Sequence, residues 1–146
     1  MFRIKYKIIT EQFEKIESIS DEEIQYKFLL GNLSMFSTDA VIDIEWEWVP
    51  LLDFAYCLKG IADRLKAKKN NKDFFEFTEN AETLEFIKEG EQLKIIASFT
   101  STIITTTFLA FDEAVNDFHS HISKHIRTYL LTEPPIVLQK YLSAEA

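Results

Sequence analysis

Cysteine, glycine and proline are scarce in this chain of 146 residues, which contains 1 cysteine, 3 glycines and 3 prolines. With Cys57 alone, no intramolecular disulfide can form, and a metal site would have to use histidine and carboxylate ligands. The shortage of glycine and proline leaves little room for flexible linkers, and no internal repeat or low-complexity segment is present. We therefore expect residues 1–146 to form a single domain.

Basic residues and long apolar runs are also in short supply. Lys and Arg total 16 against 24 Asp and Glu, so the formal net charge is −8 at pH 7. A negative field repels nucleic acid and anionic membranes and favours basic partners. The weakly charged stretch from Ile95 to Phe111 is too polar and too short to span a bilayer, and the N-terminus lacks the continuous apolar segment of a signal peptide. We therefore expect a cytoplasmic protein with no direct contact with nucleic acid or membranes.

Aromatic residues, in contrast, are abundant. They make up 14% of the chain, and 13 of its residues are phenylalanine. A chain of this length buries roughly two-thirds of the surface that its unfolded form exposes. The material for a substantial core is present, which argues against global disorder.

The segment from Val41 to Lys68 changes its hydrophobic period midway. From Ile42 to Trp48 apolar and acidic residues alternate, which predicts a strand with one apolar face and one face of carboxylates. From Pro50 onward apolar residues recur at helical spacing around Leu58, which predicts an amphipathic helix whose stripe packs on the core. A half-buried strand therefore leads directly into a helix, and the acidic face of the strand is left in solvent.

Shorter patterns complete the expected fold. Alternating segments predict further strands, and Gly31 with Asn32 predicts a bulge or turn. The segments are Phe2 to Ile8, Ile24 to Leu30, Phe74 to Thr78, Thr83 to Lys88, Gln92 to Phe99 and Ile103 to Ala110. A second long helix is predicted from Asp112 to Leu131, with short terminal helical turns over Ile136 to Leu142. The expected fold is α+β, with a single antiparallel sheet of about six strands and two main helices packed on one face.

Acidic residues cluster on the predicted third strand and again in the strands that follow the first long helix. Between Asp73 and Glu91 there are 7 acids and 1 base, Lys88. Such a surface suits the capture of a cationic protein, because electrostatic steering raises association rates. The ordinary alternative is a solvated sheet face. The nominated partner-binding carboxylates are Asp43, Glu45, Glu47, Glu76, Glu79, Glu82, Glu85, Glu89 and Glu91.

The three histidines, His119, His121 and His125, fall within one short segment. His121 and His125 have the i, i+4 spacing that metal ligands on a helix can use. Against a metal site, His125 falls near the centre of the apolar stripe, with the other two on its flanks. We therefore expect a partly buried structural role for His125 and no metal. No glycine-rich phosphate loop or nucleophile elbow occurs, so no catalytic residue and no cofactor are assigned.

In general character the chain resembles the immunity proteins of bacterial polymorphic toxin and contact-dependent growth inhibition systems. The resemblance rests on a small acidic domain, aromatic-rich strands, the segment IDIEWEWVPLLDFA at residues 42–55, and the lack of a catalytic motif. It implies a non-catalytic cytoplasmic protein that binds and neutralises one cognate basic toxin domain, often a nuclease, usually by blocking its active site. These families are diverse in sequence, so no family residue is carried over to a numbered position here.

Two other functions remain open. One is a small-molecule-binding or enzymatic α+β domain whose pocket lies between sheet and helices, lined by Trp46, Trp48, Phe75 and Phe77. Such a domain should have a concave pocket with convergent polar groups. The other is a homo-oligomer joined at sheet edges or through an apolar face. An immunity protein, in contrast, should have a toxin-like coding region immediately upstream of its gene.

Overall fold

The strands form two antiparallel sheets rather than one. A computed structural model describes residues 1–11, 13–67 and 71–143. The strands in these ranges are β1 (Phe2–Thr10), β2 (Leu30–Ser37), β3 (Val41–Pro50), β4 (Lys72–Glu76), β5 (Thr83–Glu89), β6 (Gln92–Ala97) and β7 (Ile103–Thr107). One sheet has the order β1-β2-β3 and the other β4-β5-β6-β7. The α+β class and the antiparallel pairing are confirmed, but the prediction of a single sheet of about six strands with two helices is wrong.

The described residues contain four α-helices: α1 (Asp21–Tyr26), α2 (Leu51–Lys66), α3 (Phe108–Arg127) and α4 (Ile136–Ser143). Among them there is no helix with the length and apolar character needed to cross a membrane. The apolar stripe predicted for α2 is confirmed, because all of its members are buried: Leu51, Phe54, Ala55, Leu58, Ile61, Ala62 and Leu65. The terminal helical turns predicted from Ile136 are confirmed as α4.

The start of α3 differs from the prediction. The helix begins at Phe108, ahead of the predicted N-cap Asp112, and β7 ends at Thr107 rather than at Ala110. The hydroxyl oxygen of Thr107 accepts a hydrogen bond from the amide of Ala110 at 3.1 Å, which makes Thr107 the N-cap. A β-branched residue that also caps a helix allows the strand to pass into the helix without a loop.

Helix α1 stands where a strand from Ile24 to Leu30 was predicted, so that prediction is wrong. The hydroxyl of Ser20 accepts from the amide of Glu23, and the carboxylate of Glu23 accepts from the amide of Ser20, both at 3.1 Å. This reciprocal pair is a capping box, which starts a helix at Asp21. Ile24 and Phe28 are both buried, and their spacing fits one helical face as well as it fits alternation.

One hydrophobic core joins both sheets and the helices. The ring of Phe111 on α3 lies 5.9 Å from that of Phe2 on β1 and 5.5 Å from that of Phe86 on β5. On α2, the ring of Phe54 lies 4.8 Å from that of Phe75 on β4. Helix α3 therefore connects the two sheets through aromatic contacts, and α2 adds an aromatic contact with the second sheet.

A large bulge interrupts β3. Gly31 on β2 pairs with Val49, but Leu33 pairs with Ile44, so residues 45–48 stand opposite Asn32 alone. The irregularity lies where Gly31 and Asn32 predicted a bulge or turn. At Gly31 an added Cβ would lie 2.1 Å from the carbonyl oxygen of a β1 residue, so only glycine fits this approach. Beyond the bulge, β3 no longer continues the alternation of its first half.

Candidate functional site

The carboxylates of the first sheet share their outer face with cations. Asp43 and Glu45 are exposed on this face, and Ser34 donates a hydrogen bond to the Asp43 carboxylate at 2.5 Å. Asp43 pairs in register with Ser34, and Ser34 with Lys5 on β1. Two strand spacings separate Lys5 from Asp43 by about 10 Å, close to one Debye length at physiological salt. Arg3, Lys5 and Lys7 of β1 therefore offset part of the negative field at Asp43.

The bulge of β3 carries two stacked tryptophans. The rings of Trp46 and Trp48 lie 5.3 Å apart at an angle of 17°. Both side chains are half-buried, while the neighbouring Glu45 and Glu47 are exposed. Glu47 has φ 70, a left-handed conformation that is strained for a residue other than glycine. Its amide donates to the side-chain oxygen of Asn32 at 2.6 Å, which holds this conformation in place.

The tryptophan stack touches the end of the second sheet. The Trp46 ring lies 4.8 Å from the rings of Phe77 and Phe99, edge on to both. The turn between β4 and β5 begins at Phe77, whose amide donates to the carbonyl of Glu82 at 2.9 Å. Trp46 thus contacts the first residue of the turn that carries Glu79 and Glu82, and Glu82 accepts a hydrogen bond from Ser98, the neighbour of Phe99. The acidic junction is defined as the stacked Trp46 and Trp48 together with Glu45, Glu47, Glu79 and Glu82.

The other nominated carboxylates lie elsewhere on the second sheet. Glu76 on β4 and Glu85 on β5 lie on its outer face, where Glu85 approaches Lys72 to 3.4 Å. Glu89 and Glu91 flank Gly90 in the turn between β5 and β6, at the opposite end of β5 from Glu82. The structure therefore divides the nominated carboxylates into separate groups, with Glu45 and Glu47 on the bulge and Glu79 and Glu82 in the turn that begins at Phe77.

A cleft of about 710 Å³ lies between α2, β4, α1 and α4. Asp53, in the first turn of α2, lines the cleft and is 8% exposed. Burial raises the pKa of Asp53 to about 6, and burial together with the nearby Asp53 carboxylate raises the pKa of the Cys57 thiol to about 12. Cys57 thus remains a thiol at neutral pH.

Sequence reasoning missed the position of Asp53. An acid in the first turn of a helix is expected from the helix dipole alone, so its type and place give no sign of burial. The sequence did contain one signal of burial, because the residues on either side of Asp53, Leu52 and Phe54, are apolar. Only the packing of α1 and α4 over this flank of α2 encloses the carboxyl group.

The three histidines have three different environments. His119 is buried, with its Nε2 2.6 Å from the carbonyl oxygen of Tyr141, whereas His121 is exposed. His125 is partly buried and lies 3.0 Å from the Glu11 carboxylate, which confirms its expected structural role. His119 is more buried than its flanking position on the stripe indicated, since α4 covers that flank. Within the described ranges, no three His, Cys, Asp or Glu side chains are placed to hold a metal ion.

The aromatic residues nominated for a pocket do not line a common cavity. Trp46, Trp48 and Phe77 pack on one another, while Phe75 alone of the four lines the Asp53 cleft. The chain therefore offers two candidate surfaces, an aromatic and acidic one at the junction and a concave one beside Asp53. Comparison of the chain with protein-family models, with curated proteins and with solved structures gives no match.

Proposed function

We propose that the protein is a non-catalytic, cytoplasmic binding protein that captures a basic partner protein, in the manner of an immunity protein that neutralises its cognate toxin domain. The acidic junction is the proposed contact surface. The observation that carries the proposal is the stacked pair Trp46 and Trp48, half-buried on a strained bulge and flanked by the exposed Glu45 and Glu47.

The junction combines the two features that tight and fast protein association needs. Tryptophan is enriched among the few residues that supply most of the binding energy in an interface. Exposed carboxylates around such residues contribute chiefly to the association rate, because they steer a cationic partner before contact. The net charge of −8 adds a field of the same sign over a longer range.

The junction is a better binding surface than the outer face of the first sheet. There the β1 cations stand about two strands from Asp43 and weaken its attraction for a basic partner. At the junction, Glu45, Glu47 and Glu79 have no ion pair with any described residue, so a cationic partner would meet carboxylates that are free to pair.

The experiment starts from co-purification with the product of the adjacent upstream gene, the expected source of a toxin partner. Association and dissociation rates are then measured at low and high salt for wild type and for Glu45→Lys with Glu47→Lys. The matched control is Glu89→Lys with Glu91→Lys, which changes the net charge equally at a turn about 20 Å away along β5.

We expect the junction variant to associate roughly ten-fold more slowly at low salt and to lose most of its salt dependence. The control should change the association rate much less. Trp48→Ala should instead speed dissociation while the protein remains folded. Equal effects of the two double reversals would contradict the assignment to the junction, and binding that is indifferent to salt and to both reversals would contradict the acidic mechanism itself.

A further inference from the structure

The cleft beside Asp53 has no part in the acidic junction. We propose that this cleft binds an alkylammonium or guanidinium group, with its positive charge against the Asp53 carboxylate. This second site stands whether or not the junction binds a protein, because different residues form it.

The Asp53 carboxylate has unused hydrogen-bonding capacity. Its Oδ1 has one partner, the Sγ of Cys57 at 3.9 Å, and a thiol is a weak donor. Its Oδ2 has no partner among the described residues. Among the described residues, Oγ1 of Thr106 is the one fully inaccessible side-chain nitrogen or oxygen that lacks a hydrogen-bond partner. The unpaired Oδ2 of Asp53 is therefore not fully inaccessible. Because Asp53 lines the cleft, this oxygen is reached from the cleft. A buried carboxylate of this kind gains most from a cation, since water solvates it poorly.

The cations around the cleft are already engaged. Nε of Arg64 lies 2.6 Å from the Asp73 carboxylate, and Nζ of Lys140 lies 3.1 Å from the Asp21 carboxylate. The ammonium of Lys59 donates to a side-chain amide oxygen on α3 at 2.7 Å. None of the three forms a direct ion pair with Asp53, and Lys140 attracts its carboxylate only over a longer distance.

The carboxylates that line the cleft, in contrast, have no direct ion pair with any described residue. Asp53, Asp63 and Glu76 all line it, and none of them has an ion pair within the described ranges. With Arg64 and Lys140 paired to acids, the unpaired carboxylates outnumber the single unpaired ammonium of Lys59. The local balance therefore favours a cation.

The walls suit the apolar stem of such a ligand. Tyr56, Phe74 and Phe75 line the cleft, and Phe74 is 56% exposed. Aromatic faces attract ammonium and guanidinium groups and pack against methylene chains. A volume of about 710 Å³ exceeds what one such group needs. The group can belong either to a free amine or to a lysine or arginine side chain of a bound peptide.

Calorimetric titration of the intact protein at pH 7.5 and low salt tests the site. The free probes are agmatine and butylamine, with butanol as the neutral analogue. The peptide probe is an acetylated, amidated Gly-Arg-Gly, with Gly-Gln-Gly as its neutral analogue. Asp53→Asn removes the charge without changing the shape, and Asp117→Asn, on the exposed face of α3 and away from the cleft lining, is the matched control. Thermal unfolding verifies that both variants are folded.

We expect at least one cationic probe to bind saturably and its neutral analogue not to bind. Asp53→Asn should weaken that binding by roughly ten-fold or more, and Asp117→Asn by no more than about two-fold. Preference for agmatine or butylamine would identify a free amine as the source of the group, and preference for the peptide would identify a protein side chain. The proposal is overturned if no cationic probe binds, or if Asp53→Asn binds as wild type does, and neither result bears on the acidic junction.

Discussion

The Nε2 atom of His119 on α3 lies 2.6 Å from the carbonyl oxygen of Tyr141 in the last turn of α4. A carbonyl oxygen only accepts, so Nε2 carries a proton and donates it to this bond. One turn later on α3, Ser123 donates to the carbonyl of Leu142 at 3.1 Å. The last carbonyls of a helix have no partners within it, and these two side chains satisfy a pair of them. Helix α4 is thereby fixed to α3 at its C-terminal end.

His119 should make the stability of the protein decrease on mild acidification. Burial lowers the pKa of His119 below its usual 6.5, so the unfolded chain takes up a proton there that the folded protein does not. The stabilising contribution is present above pH 6.5 and is lost as the pH falls toward the folded pKa. His119→Gln, whose amide can still donate to Tyr141, should lose less stability than wild type between pH 7.5 and 5.5. Denaturant unfolding measures the difference, and the exposed His121→Gln is the control that should follow wild type.

Asp53 should make the stability of the protein decrease as the pH rises, which is the opposite of the effect of His119. Burial raises its pKa from 3.8 to about 6, so the folded protein holds a proton that the unfolded chain releases between these values. The corresponding stability is fully present below pH 3.8 and is lost as the pH rises through about 6. Its size is about 3 kcal/mol. Because a small part of it is already lost at pH 4, Asp53→Asn should become more stable relative to wild type by about 2 kcal/mol from pH 4 to 7.5. Unfolding free energies of the two proteins that stay parallel across this range would contradict the prediction.

Leu58→Ala should cost about 2 to 5 kcal/mol of unfolding free energy, because it opens a cavity in the core. Leu58 is fully buried at the centre of the α2 stripe. The matched control is Leu109→Ala on α3, where the side chain is 66% exposed. That change should stay within about 0.5 kcal/mol. Denaturant titration of both variants provides the comparison, and a loss below about 1 kcal/mol at Leu58 would mean that the stripe is not core.

Glu47→Gly should stabilise the protein by up to about 1 kcal/mol. Glu47 has φ 70, and a left-handed conformation costs a residue with a Cβ roughly 1 to 2 kcal/mol, part of which is offset by the greater freedom of glycine in the unfolded chain. Glu45→Gly makes the same change of charge on the same strand without relieving a positive φ. It should destabilise by roughly 0.5 to 1 kcal/mol. Thermal unfolding shifts of equal sign for the two variants would rule out strain at Glu47.

Periodicity predicted the parts of the fold that are governed by one buried face. The α2 stripe around Leu58 and the meander from Phe74 onward were predicted because their apolar residues recur with a single period along each element. The alternation of Ile24 and Phe28 was misleading, since a capping box at Ser20 decides for a helix and the two residues fit both periods.

The division into two sheets could not be predicted from the pattern of β3. Ile42 to Trp48 alternate without interruption in the sequence, yet a bulge opposite Asn32 redirects Trp46 and Trp48 toward Phe77. The alternation of apolar and acidic residues runs from Ile42 into the bulge at residues 45–48 without a break. The acidic junction and the Asp53 cleft could not be predicted from the sequence pattern either, because each depends on contacts between elements that are distant along the chain.

The contact between Phe2 and Phe111, 5.9 Å from ring to ring, also constrains the order of events on the ribosome. The strands β4 to β7 pair with their immediate neighbours, so that sheet can assemble as it is synthesised. The inner face of β1 has to wait until residue 111 emerges. At about 5 to 20 residues per second, that interval is roughly 5 to 20 s. During it the apolar face of β1 is uncovered, which gives chaperones that act on nascent chains a defined window on this strand.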